Sequence, residues 1–102
     1  MSLRVRISPR AAAQIRRAAD WWLEHRDKAP DAFADDLERG MELITSLPAV
    51  GEPVPHPRLS GVRRLLLARI RYHLYYQHEP GSDTVDVLAL WHTGRGTGPP
   101  LF

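Results

Sequence analysis

Apolar and polar positions change their period several times along the chain. Residues 3–7, LRVRI, alternate apolar and basic, the period-two pattern of a half-buried strand. Ser8-Pro9 then sets an N-cap residue before a proline suited to the first helical position. Ala12, Ile15, Ala19 and Trp22 recur at spacings of three and four, while Arg16, Arg17, Asp20 and Glu24 lie largely off that stripe. The spacing predicts a helix over residues 9–26, and Pro30 in DKAPD ends it. Asp31 is the expected N-cap of a second helix, whose Phe33, Leu37, Met41, Ile44 and Leu47 share a face. Asp35, Asp36, Glu38, Arg39 and Glu42 decorate its other side, and Pro48 closes it. Two amphipathic helices across a short break predict an antiparallel hairpin.

The next stretch, residues 48–61, carries Pro48, Pro53, Pro55 and Pro57 and reads as an extended loop. Three strand-like runs follow at 62–69, 72–79 and 85–92, rich in branched and aromatic residues. PGSD at 80–83 is a turn signal that makes the last two a hairpin, whereas Ile70-Arg71 offers neither glycine nor asparagine. The expected fold is therefore α+β, in the order β-α-α-β-β-β. Its helical hairpin packs on one face of a mainly antiparallel four-stranded sheet and leaves the other face to solvent or a partner. At 102 residues, the whole of 1–102 is expected to be one domain.

Composition narrows the classes. No apolar run approaches the roughly 20 residues of a membrane helix, and MSLRVRISPR lacks the apolar core of a secretory signal. The chain has no cysteine, which excludes disulfides and thiolate metal sites and suits a reducing cytoplasm. Net charge is only +2, but it is unevenly spread. Residues 20–42 hold most of the acids, whereas 53–78 hold none and include Arg58, Arg63, Arg64, Arg69 and Arg71. Such a basic region suits phosphate backbones or acidic partners.

The five histidines have neither helix nor finger spacing, so no metal and no cofactor is expected. Gly94, Gly96 and Gly98 are followed by no helix that could offer its N-terminus to a phosphate. Arginine, histidine and tyrosine remain, gathered on neighbouring strands: Arg64, Tyr72, His73, Tyr75, Tyr76, His92 and Arg95. Arginine can fork onto a phosphate, and histidine can move a proton near neutral pH. In a ribonuclease, one group would take the 2′-hydroxyl proton, arginines would neutralise the phosphorane, and an acid would protonate the leaving oxygen. The tyrosines read first as packing residues of strands, and Trp91 as a core anchor rather than a stacking platform.

The element order, together with SPRAAAQI, WWLEHR, FADDLERGMELITSLPAVGEPVP, GVRRLLLARIRYHLYYQHE and VDVLALWHTGRG, resembles the RelE/ParE superfamily of type II toxins, often labelled plasmid stabilisation proteins. The resemblance implies a cytoplasmic growth inhibitor silenced by a small cognate antitoxin encoded beside it. RelE-like members cut mRNA at the ribosome, whereas ParE-like members poison DNA gyrase without known catalysis. On the nuclease branch the corresponding catalytic residues are Arg64, His73, His92 and Arg95. TGPPLF lacks that branch's terminal helix and catalytic tyrosine, and 62–69 lacks its lysines. The L-W-H-x-x-R ending is closer to the ParE branch, which implies a non-catalytic protein. Target contacts are then expected at Arg63, Arg64, His92 and Arg95, and antitoxin contacts at Arg58, Arg69 and Arg71. A third possibility is an inactive member that only binds its antitoxin.

Overall fold

The computed structural model describes residues 3–27 and 29–101; Lys28, inside the expected break between the helices, lies outside them. Strand β1 (Arg4–Ile7) leads into α1 (Pro9–His25) and α2 (Ala32–Ser46). Strands β2 (Glu52–Pro53), β3 (Val62–Leu67), β4 (Tyr72–Gln77) and β5 (Thr84–His92) follow. They form one sheet in the order β1-β5-β4-β3-β2, with β1 parallel to β5 and every other pair antiparallel.

Ser8 does what its position predicts: its Oγ accepts the Ala11 N–H at 3.1 Å, ahead of a proline in the first turn. Ala11, Ala18 and Trp22 are buried, and Ala12, Ile15 and Ala19 are half-buried beside them. The Trp22 indole donates to the Ala29 carbonyl at 2.8 Å and so fixes the entry to α2, where Phe33 packs against it.

Three details of α2 differ from expectation. Asp31 occupies the N-cap position, yet its backbone is helical (φ −90°, ψ −5°) and its side chain caps nothing. A capping side chain needs extended backbone there to reach the first free N–H groups. Asp36, expected on the solvent side, is 6% exposed. Its Oδ2 accepts the N–H groups of Arg69 (3.1 Å) and Ile70 (3.2 Å), supplying acceptors to the β3–β4 connection. Leu47, expected in the core, is exposed because the helix ends at Ser46 and the chain turns away.

The proline-rich stretch is loop except for β2, a two-residue fifth strand with Glu52 opposite Arg64 and Pro53 opposite Arg63. Proline is tolerated there because β2 is an edge. Tyr76 anchors this edge: its hydroxyl donates to the Pro48 carbonyl and accepts from the Gly51 N–H, both at 2.8 Å. Gly51 fits because a Cβ would sit 2.7 Å from both the Arg64 carbonyl oxygen and that hydroxyl.

Side chains alternate across the sheet. Leu67, Leu74, Tyr76, Val85, Val87 and Leu90 face the helices and form the main core with Ala11, Trp22, Phe33 and Ile44. The opposite face is not open as expected. Val62, Tyr75 and Ala89 form a second cluster there, covered by Val54, Leu59, Leu88, Trp91 and Leu101. Trp91 thus anchors, but on the side away from the helices. A bulge between Tyr75 and Tyr76 adjusts the β4–β5 register, pairing Tyr75 with Ala89 and Tyr76 with Val87.

Candidate functional site

The cationic and aromatic side chains converge where β4 begins and β5 ends. Tyr72 pairs with His92 and His73 with Trp91, so one pair faces the helices and the other the covered face. After His92 the chain turns sharply: Arg95 N–H donates to the His92 carbonyl at 3.2 Å. The tail then folds back over the sheet. The Trp91 indole donates to the Thr97 carbonyl at 2.7 Å, and Arg10 donates to the Pro100 carbonyl at 3.0 Å. This return lays the Arg95 guanidinium over the Trp91 ring, 4.0 Å from its centroid, a cation–π contact.

His92 is exposed, and its Nδ1 accepts the Gly94 N–H at 2.9 Å. In the neutral ring the proton therefore sits on Nε2, leaving that nitrogen as a donor. Tyr72 meets the His92 ring edge-on at 5.2 Å, and burial pushes its phenol pKa up, so the hydroxyl keeps its proton. His73 is shifted downward, first by burial and then by Arg64, which favours the neutral imidazole.

On the covered face, a cleft of about 140 Å³ is lined by Arg64, His73, Tyr75, Trp91, His92 and Arg95, with the tail. All four residues implied for a nuclease therefore meet in one place. Arg64 is already engaged there. Its Nε donates to the Glu52 carboxylate and its Nη1 to the Tyr75 hydroxyl at 3.3 Å. Those two partners raise its pKa, Tyr75 more than Glu52.

The other implied contacts do not form one patch. Arg63 lies on the opposite face from Arg64, opposite Tyr76, and its Nη1 donates to the Gly51 carbonyl at 2.7 Å. Arg58 precedes β3, whereas Arg69 and Arg71 follow it, so six strand residues separate them. Among the described residues, no group of three or more His, Asp or Glu is placed to hold a metal.

Sequence reasoning missed Glu52, because nothing in the proline-rich stretch marked it as a strand facing Arg64. It also missed Trp21 and Arg17, which stand beside His92 and Arg95 in a second cleft on the helix side. A signal was present for Trp21: two adjacent tryptophans on a helix cannot both face one core, and Trp21 is 42% exposed.

Two helices on one face of a five-stranded sheet make a fold similar to that of chains in two solved toxin–antitoxin assemblies. The chromosomal ParDE system from P. aeruginosa superposes with a TM-score of 0.67 at 18% identity, covering 89% of this chain and 96% of that one. The RelBE2 complex from Mycobacterium tuberculosis gives a TM-score of 0.66 at 20% identity, covering 90% of this chain and 99% of that one. No curated protein matches. The sequence model described as "ParE toxin of type II toxin-antitoxin system, parDE" matches residues 5–96. The chain belongs to this ParE toxin family.

Proposed function

We propose that the protein is the growth-inhibiting toxin of its module, acting as ParE-like toxins do by holding DNA gyrase, and that a cognate antitoxin silences it. The observation that carries this reading is the capture of Arg64. Two of the five N–H donors of the Arg64 guanidinium are taken by the Glu52 carboxylate and the Tyr75 hydroxyl, and Glu52 beside it repels an RNA phosphate. The family match supports the same branch. His92 and Arg95, exposed at the end of β5, are the target contacts, with Arg64 and Arg63 shaping the strands beneath them. Arg69 and Arg71, at the β3–β4 connection, and Arg58, before β3, are basic contacts for acidic antitoxin side chains. The site of action is the cytoplasm. No helix among the described residues is long and apolar enough to cross a membrane.

One observation favours a second reading, an mRNA interferase acting at the ribosome: Arg64, His73, His92 and Arg95 share a cleft, and a neutral His73 could accept a proton. Induction without antitoxin separates the two. The gyrase reading predicts growth arrest with a DNA-damage response, relieved in both Arg95→Ala and His92→Ala while the proteins remain folded. Rapid mRNA decay with codon-positioned cuts would establish the interferase instead, and harmless expression would mean an inactive member.

A further inference from the structure

The proposed target contacts sit on a segment that its own composition does not hold in place. His92 through Gly98 are all exposed, with Gly94, Gly96 and Gly98 at alternate positions. An exposed stretch this rich in glycine has much conformational freedom to lose, so neither burial nor local preference fixes Arg95. The fold ties the segment at both ends instead. Thr93 N–H donates to the Arg71 carbonyl at 3.0 Å, which fixes the stem. The Trp91 indole closes the loop by donating to the Thr97 carbonyl at 2.7 Å. Further along, Arg10 in the first turn of α1 donates to the Pro100 carbonyl at 3.0 Å, and Leu101 packs on the cluster of Val62, Tyr75 and Ala89.

A single indole therefore makes two different contacts. Its N–H edge holds Thr97, and its face carries the Arg95 guanidinium, 4.0 Å from the ring centroid. Arg95 is enclosed in a turn whose start and end meet on one side chain. The manner of holding decides what remains available. Arg4, Arg6 and Arg64 are each held by a carboxylate, which offsets their charge. Among the described residues, no carboxylate pairs with Arg95. A ring face orients a cation and leaves its charge and its N–H donors to a partner.

Packing alone does not account for this arrangement. Trp91 is only half-buried at the margin of the second cluster, and an aliphatic side chain would fill that place without a donor or a π face.

We propose that Trp91 is the positioning residue of Arg95, setting the loop and the guanidinium in place before the target is met, and that Arg10 assists by pinning the returning strap at Pro100. This role rests on the reading of Arg95 as a target contact, but not on which target it meets. Binding that must first order a long side chain and its loop loses affinity, and ordering them beforehand removes that loss. Trp91 thus acts through Arg95 and not by touching the target itself.

Three variants of the full chain test it, by NMR of the free protein and by potency. Potency is read as the amount of chain that inhibits supercoiling by purified gyrase and, in parallel, as growth arrest on graded induction. In the free protein the Arg95 side-chain protons should be shifted upfield by the indole ring current, and the Trp91 indole proton should exchange slowly. Trp91→Leu keeps apolar filling but loses both face and donor, and should abolish the upfield shift and lower potency roughly tenfold. Trp91→Phe keeps a face and should lower potency only roughly threefold. Arg10→Ala, at an exposed position, leaves the sheet untouched should Trp91→Leu fail to fold. It should speed exchange of the Trp91 indole proton and lower potency roughly threefold at an unchanged melting temperature. Supercoiling unaffected by the unsubstituted chain, with this same ranking in growth arrest, would dismiss gyrase and uphold the positioning role. Unshifted Arg95 protons, full potency in folded Trp91→Leu, or equal losses in Trp91→Leu and Trp91→Phe at equal melting temperature would each overturn it.

Discussion

Asp36→Ala is expected to destabilise the fold by about 3 kcal/mol, because two backbone N–H groups at the β3–β4 connection lose their shared acceptor at once. The carboxylate is 6% exposed and receives the Arg69 and Ile70 N–H groups from a connection that no glycine or asparagine relaxes. Ile70 is 2% exposed in the main core, so water has poor access to its amide. The longer Arg39 contact at 3.5 Å, with an exposed guanidinium, adds little. Thermal denaturation should show the midpoint falling by more than about 10 °C in a domain of this size. Asp36→Asn, which keeps an oxygen at the same place, should lose much less. Equal losses in the two variants would mean that the charge or the helix, not the acceptor, matters. The same connection carries Arg69 and Arg71, the proposed antitoxin contacts.

The second large effect is expected at the anchor of the edge strand. Gly51→Ala would put a Cβ 2.7 Å from the Arg64 carbonyl oxygen and the Tyr76 hydroxyl, and the former belongs to backbone that cannot swing aside. Tyr76→Phe removes little bulk but strands the buried Gly51 N–H and the half-buried Pro48 carbonyl. Each change should cost about 2–3 kcal/mol by denaturant titration, mostly through loss of β2. The pair should be less than additive, since both break the same junction. Full additivity would show that Gly51 and Tyr76 act separately. Because β2 delivers Glu52 to Arg64, either variant should also release that guanidinium.

The fold was legible where a local rule had no rival. The Ser8-Pro9 start, the two apolar stripes and the PGSD turn each predict an element that is present, and the helices do cover one sheet face. Long-range pairing left no such trace. Nothing within LRVRI announces that it lies parallel to β5, where Arg4 and Arg6 meet Asp83 and Asp86. The prolines argued against β2, yet an edge two residues long needs no ladder through Pro53 on both sides. Asp36 misled because a charge on an amphipathic helix normally faces water; its buried partners come from a connection 33 residues later.

The candidate site was legible in composition and less so in arrangement. His92 and Arg95 are adjacent as expected, since a tight turn joins them. Arg63 and Arg64 were grouped by sequence, but neighbours on a strand point to opposite faces, and here one serves Gly51 and the other Glu52. Trp91 ends an apolar run, a position that predicts a core side chain. The returning tail gives it a second, separate cluster to complete.

With Arg64 paired to Glu52, the proposed role of His92 and Arg95 is to contact a protein target rather than to cut RNA. Its most direct test incubates the purified chain with DNA gyrase and plasmid, and in parallel with programmed ribosomes. Blocked supercoiling or trapped cleaved DNA is expected, abolished by Arg95→Ala, with the mRNA left intact. Codon-positioned mRNA cleavage with gyrase unaffected would contradict it.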